Sequence, residues 1–269
     1  SFFFFFLERE RRQRRQAKRK RKEREKVMEF LDQMPPITKG LLVGSVFFTL
    51  AGHFGIFSPV SLVLYKDYVF YDFEIWRLAT CLLYQGKLGF GFLINMLCLY
   101  RHSMSLETQS IAFAGRTSDY LFMVLFGSFL LILVGLFYPF PLLGQGLLLM
   151  LTYYWSQKFP NQNMNFFGIP FKGRYLPWVL VGMNFVMGGF PILQIFGILI
   201  GHIYFFLTEI IPLQGGRNYL QTPWFLYRLF PPEMNANSPG LRRARVGAGA
   251  DLRRAAQGQN IWQGQGHRF

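Results

Sequence analysis

The chain has 269 residues, of which 51% are hydrophobic, 19% aromatic and only 16% charged, with a mean hydropathy of +0.21. Soluble domains carry about 25% charged residues, so the composition argues against a single water-soluble globule and for a polytopic membrane protein. The formal net charge of +15 sits at the ends: residues 8–26 hold 12 basic and 4 acidic side chains and residues 240–269 hold 6 and 1, leaving 11 basic and 9 acidic between them.

In chain order, residues 1–27 form a low-complexity basic leader. It begins with Phe2 to Phe6, an apolar run too short for a signal sequence and followed rather than preceded by basic residues. Two readings stay open for it: a solvated arm drawn to anionic cytoplasmic lipid, or upstream sequence ahead of a start at Met28 or Met34. No nucleic-acid partner is expected, because no reading module or basic-aromatic platform accompanies the run.

Residues 28–230 read as the membrane domain, an all-α bundle of six transmembrane helices. Six apolar stretches are candidate spans: residues 40–57, 88–100, 120–140, 142–155, 175–190 and 192–208. A full span needs about 20 residues, so several are short, and short spans imply local bilayer thinning or shelter by neighbouring helices. The positive-inside rule puts both termini in the cytosol, with Arg101, Arg116, Lys158, Lys172, Arg174, Arg217 and Arg228 on that side. Residues 58–87 are rich in Tyr, Phe and Trp among charges and are expected to lie half-embedded on the opposite face. Pro139, Pro141 and Pro191 mark abrupt turns. Cys81 and Cys98 lie in or beside apolar stretches and read as small buried hydrophobes rather than a disulfide framework.

Within this body, Gly197 and Gly201 share one helical face, which permits close approach of another helix. Trp76 and Arg77 fall in the interfacial loop, where Trp can anchor and Arg can snorkel. Asn95, Gln145, Asn184, Gln194 and His202 are intramembrane polar residues, too few for an ion relay but able to line a wet groove. Residues 231–269 have few large apolar side chains and read as a disordered cytosolic tail. Its last eight residues place Trp262 and Phe269 around glycines, a pattern that can lie extended in a partner's groove.

The motifs Met34-Pro-Pro-Ile-Thr38, Phe73-Glu-Ile-Trp-Arg-Leu-Ala-Thr80, Gly115-Arg-Thr-Ser-Asp-Tyr120, Met164-Asn-Phe-Phe-Gly168, Leu176-Pro-Trp-Val179 and Gly197-Ile-Leu-Ile-Gly-His-Ile-Tyr-Phe-Phe-Leu207 together resemble the derlins, rhomboid-like pseudoproteases of the endoplasmic reticulum. The resemblance covers roughly residues 28–230 and keeps the family order. It implies a six-helix rhomboid-like bundle, multi-pass in the endoplasmic-reticulum membrane, with Trp76-Arg77 as the loop motif and Gly197/Gly201 as the packing motif of the sixth helix. It further implies a part in returning misfolded proteins to the cytosol beside a membrane ubiquitin ligase, as a homo- or hetero-oligomer. The tail resembles the family's SHP box, which binds the valosin-containing AAA ATPase, through Trp262, Gly264, Gly266, Arg268 and Phe269. Its spacing departs slightly from commoner versions.

Two competing classes are weighed against this. An active rhomboid protease needs a serine near the start of span four and a histidine three residues before the first packing glycine; residues 142–152 hold no serine and that second position is Gln194. A solute transporter or channel would ask for internal repeats, and none is found. No catalytic residue, metal or cofactor is expected.

Overall fold

A computed structural model describes residues 2–110, 112–138, 140, 142–166, 168–186, 189, 191–215 and 220–231. These residues are mostly helical. They form α1 (Phe2–Asp32), α2 (Pro36–His53), the short α3 (Pro59–Leu62), α4 (Lys66–Tyr71) and α5 (Arg77–Leu83), then α6 (Phe90–Gln109), α7 (Thr117–Phe137) and α8 (Gly144–Lys158). One antiparallel hairpin follows, β1 (Asn163–Phe166) with β2 (Ile169–Lys172), and then α9 (Leu176–Val186) and α10 (Ile192–Phe205). The last of these runs on through a π-helical turn, Phe206–Ile210, into α11 (Ile211–Leu213), and α12 (Trp224–Leu229) closes the described part. The tail motif Trp262, Gly264, Gly266, Arg268 and Phe269 lies outside the described residues.

Each of the six apolar stretches becomes a helix, but their bounds shift. The second runs from Phe90 to Gln109 instead of ending at Tyr100, because Arg101, His102, Ser103 and Glu107 find partners or water at the bundle's end rather than breaking the helix. The sixth continues as an unbroken helical segment to Leu213. Among the described residues, Thr117–Phe137 and Ile192–Leu213 are long and apolar enough to cross a membrane by themselves, with mean hydropathy of 2.5 and 1.8. The outside of the bundle is apolar: Phe47 on α2, Leu97 on α6, Phe129 on α7 and Leu199 on α10 are each at least half exposed. In water such a perimeter would be a liability, whereas hydrocarbon accepts it.

The centre of the bundle is α8. Leu147, Leu148, Leu149, Met150, Leu151, Tyr154 and Trp155 on this one helix are all buried, so neighbours surround it on every side. It packs chiefly against α10 and then against α6, α7 and α9. Helix direction alternates, so the bundle has two ends. At one, the basic end, lie the start of α2, the end of α6, the start of α7 and the ends of α8 and α10. At the other lie the loop of α3 to α5, the end of α7, the start of α8, the end of α9 and the start of α10.

The loop between α2 and α6, expected to lie half-embedded at the membrane interface, is not extended. It folds into three short helices, and α5 turns inward to bury Arg77, Thr80, Cys81 and Leu82 against α2 and α8. The hairpin was likewise invisible to apolar periodicity: Gly168, with φ of +84°, supplies the left-handed turn that joins β1 to β2.

The basic end is tied by one buried carboxylate. The first amides of a helix have no partners within the helix, and here Glu107 of α6 supplies them: it accepts from Thr38 N (2.8 Å), Ile37 N (3.2 Å) and Thr38 Oγ1 (2.7 Å). Thr38 Oγ1 is also 2.8 Å from Ser103 Oγ, which is 2.6 Å from Tyr120 Oη, so the network joins α2, α6 and α7. Glu107→Ala strands two buried amides, and such groups cost about 1–3 kcal/mol each. Thermal melting in detergent is expected to fall by several degrees; an unchanged midpoint would show that the network is not a stabilising one.

Candidate functional site

Three features bring together residues singled out from the sequence. The first is a cavity of ≈ 320 Å³ at the loop end, between α6, α8, α9 and the start of α10. Five carboxamides line it: Gln85, Asn95, Gln145, Asn184 and Gln194. Asn184 Nδ2 donates to Gln145 Oε1 at 3.1 Å. The side-chain oxygens of Gln85 and Gln194 are buried and accept no hydrogen bond from the described residues. A buried acceptor left open is costly, so the cavity is built to receive donors, from water or from a polar chain. On one side it is closed by α9, which leans on α8 and packs little against α6.

His202 does not belong to this cavity. It lies two turns further along α10, exposed on the bundle's outer face, with Nδ1 2.8 Å from Tyr153 Oη. The sequence-based grouping fails because eight residues of helix carry a side chain about 12 Å along the axis from Gln194. Histidine 102, not singled out from the sequence, is the buried one: its Nδ1 is 3.0 Å from Thr152 Oγ1 and its ring lies 4.8 Å from that of Trp155. Ser156 Oγ donates to Tyr153 O at the basic end of α8. Among the described residues, the hydrogen bonds of these two histidines go to Thr152 and Tyr153 and not to a serine.

The second feature is the loop motif. Trp76 caps α5 and is 56% exposed, as an anchor in the interface would be. Arg77 does not snorkel: it is 4% exposed, paired with Glu74, and donates to the carbonyls of Val60 and Val63, the latter at 3.0 Å. Its guanidinium also lies 4.8 Å from the Tyr68 ring centroid. The reason is local. Val60 in α3 and Val63 just after it turn their carbonyls inward, and Arg77 Nη1 donates to both while Phe73, held at φ of +54°, brings Glu74 round to Nε to balance the charge.

The third feature is the contact of α10 with α8. A Cβ on Gly197 would lie 2.2 Å from Gly146 O, and one on Gly201 would lie 3.0 Å from Met150 O. Both glycines therefore face the α8 backbone, and the first leaves no room for any side chain.

Comparison with known proteins adds the family. A profile described as the Der1-like family matches residues 34–224. The chain belongs to the derlin family. Derlin-1 of Homo sapiens is 38% identical over 247 residues, 90% of this chain and 97% of that protein. Derlin-1 of Arabidopsis thaliana is 38% identical over 204 residues, 75% and 76% of the two chains, and Derlin-2 of Oryza sativa subsp. japonica is 36% identical over 246 residues, 87% and 97%.

In this derlin chain a fourth cluster, missed from the sequence, lies at the basic end. Asp119, in the first turn of α7, accepts from Thr222 Oγ1 and Tyr227 Oη, each at 2.6 Å, and pairs with Arg116. Burial pulls the Arg116 guanidinium down, but the Tyr227 hydroxyl and Asp119 carboxylate outweigh it and hold its pKa above the ordinary value. Ser118 Oγ donates to Phe230 O. The Gly115-Arg-Thr-Ser-Asp-Tyr120 motif thus clasps the segment that precedes the tail. Its partners are about 100 residues away in sequence, so spacing gave no signal.

The two packing glycines make unequal demands. Gly197→Ala drives a methyl into a backbone oxygen and is expected to cost at the upper end of the roughly 1–3 kcal/mol typical of overpacking, whereas Gly201→Ala needs only a few tenths of an ångström of give. Melting of the two variants in the same detergent checks this; equal losses would remove the distinction.

Proposed function

We propose that the chain is a non-enzymatic factor of endoplasmic-reticulum-associated degradation that helps misfolded proteins pass from the lumen or membrane to the cytosol. In this reading residues 28–230 form a six-span rhomboid-like bundle in the endoplasmic-reticulum membrane, with both termini cytosolic. Residues 231–269 are the cytosolic tail, and Trp262, Gly264, Gly266, Arg268 and Phe269 recruit the valosin-containing AAA ATPase that pulls. A membrane ubiquitin ligase and further derlin-type subunits complete the assembly.

The observation that carries this reading is the carboxamide cavity beside α9. The eleven described residues of that helix span about 16 Å, against a hydrocarbon core of about 30 Å. By contrast α6, α7 and the α10–α11 segment have 20, 21 and 22 residues, and the 15-residue α8 is sheltered by its neighbours. Thinning is therefore confined to one side of the bundle, where Trp178, Phe185 and Val186 of α9 are exposed. Next to that thin sector, Gln85, Asn95, Asn184 and Gln194 offer hydrogen bonds to polar backbone, whose passage through lipid otherwise costs several kcal/mol per unsatisfied group. Arg77 holds the loop, and Gly197 and Gly201 hold α10 to α8, so that the thin side stays formed.

No acyl-transfer role is included, because the described lining of the cavity, five carboxamides and Lys87 among apolar and glycine residues, holds no serine or cysteine nucleophile paired with a histidine. Membranes carrying a Gln85→Leu, Gln194→Leu double variant are expected to clear a misfolded lumenal substrate several-fold more slowly while the protein inserts normally. Clearance at the unaltered rate overturns the cavity's role. Solute flux through the purified protein in liposomes would favour the transporter reading instead. Deleting residues 262–269 is expected to abolish co-purification of the ATPase without affecting insertion.

A further inference from the structure

A second cavity, of ≈ 400 Å³, lies at the basic end between the start of α7, the end of α8, the π-helical turn of α10 and the clasped segment before α12. It is within the size range of small-molecule sites. Its walls bring together Arg116, Asp119, Tyr154, Tyr204, Glu209 and Tyr227. The hydrogen bonds of this cluster leave a definite remainder. Both oxygens of Asp119 are taken, by Thr222, Tyr227 and Arg116. Among the described residues, Glu209 uses only Oε1, which accepts from Tyr154 Oη at 3.1 Å and pairs with Lys158, and Oε2 accepts nothing. Tyr204 is 4% exposed, lines the cavity, and its hydroxyl has no partner among the described residues. Arg116 is half exposed and spends only one Nη2 group on Tyr227 and Asp119.

The open groups are thus a carboxylate oxygen and a hydroxyl on one wall and guanidinium N–H groups on another. A primary ammonium suits the first pair and a phosphate suits the second. Among the described residues, the charged lining of Arg116, Asp119 and Glu209, together with Lys158 paired to Glu209, sums to zero, so a simple cation or anion gains from one wall what it loses at the other. A zwitterion gains from both. The π-helical turn Phe206–Ile210 reinforces this reading, since it is what places Thr208 and Glu209 at the cavity wall, and such turns are common at functional sites.

From these remaining contacts we infer that this cavity binds the phosphoethanolamine headgroup of a membrane phospholipid, its ammonium on Glu209 and Tyr204 and its phosphate on Arg116. A lipid source is favoured by position. The membrane-length helix α7 begins at the residue after Arg116, and α12 beside it presents Trp224, Phe225 and Leu229 outward, each more than half exposed. Aromatic side chains of this kind sit at the headgroup level.

Native mass spectrometry of the delipidated full chain, titrated with phosphatidylethanolamine, phosphatidylcholine and phosphatidylglycerol in equal amounts, tests the assignment. Phosphatidylethanolamine is expected to bind at least three-fold more tightly than either competitor. Glu209→Gln should erase that preference, and Arg116→Gln should weaken binding of all three. Tyr204→Phe removes a hydroxyl that no other residue uses, so the fold should persist while the ethanolamine preference falls several-fold; it keeps the test informative if the charged variants unfold. Soluble glycerophosphoethanolamine serves as a second arm: competition by it assigns the site to the headgroup alone, and its failure to compete while the lipid binds assigns the site to the bilayer. Equal binding of the three lipids by the unaltered chain, or a preference that survives Tyr204→Phe and Glu209→Gln alike, overturns the proposal.

Discussion

The bundle depends on the approach of two backbones. Where α10 crosses α8, Gly197 lies against Gly146, and there is space for hydrogen but not for carbon. In lipid no hydrophobic effect drives helices together, since the surrounding tails are as apolar as leucine, so contact area and close packing must do so. Glycine on both helices maximises that area. Because α8 is also the helix against which α6, α7 and α9 rest, an error at this crossing would displace every wall of both cavities.

The contrast with α9 follows from the same logic. That helix is short and exposes Phe185 and Val186. On one side it rests on α8 and on the other it meets the carboxamide cavity rather than α6. A rigid α8–α10 pair and a lightly held α9 make an asymmetric barrel, in which one sector can yield without loss of the rest. Elements with few buried contacts are those that open first. The cavity's two oxygens without a partner among the described residues, on Gln85 and Gln194, would in the proposed reading gain partners from a polar chain.

Local features of the sequence translated into structure in proportion to how local their causes were. Apolar runs announced six helices because hydrocarbon length and helical rise are properties of consecutive residues. Gly197 and Gly201 could be read as a packing face because they are four apart on one helix. The limits came from partners distant in the chain. Whether Arg77 would snorkel or turn inward depended on the carbonyls of Val60 and Val63, and whether His202 could join Gln194 depended on axial rise and on Tyr153. The Glu107 cap on α2 lies about 70 residues from the amides it serves, and the Asp119 clasp spans more than 100. Neither leaves a periodic trace. The tail motif, in contrast, is a reading of sequence alone, outside the described residues.

In the proposed reading, the carboxamide cavity also bears on why a derlin would hold a polar pit without cleaving what enters it. A nucleophile and base require a fixed geometry between two side chains and a bond positioned within attack distance. Carboxamides have no such requirement: each offers donor and acceptor together, so register along a passing backbone is irrelevant. In the proposed reading Gln194, at the position where an active rhomboid would carry its histidine, helps form a site that is indifferent to which bond is present. That indifference suits the proposed handling of many misfolded chains, and it comes with a physical condition. The amides must bind weakly enough to release what they hold, which neutral, partly self-paired carboxamides such as Asn184 with Gln145 achieve.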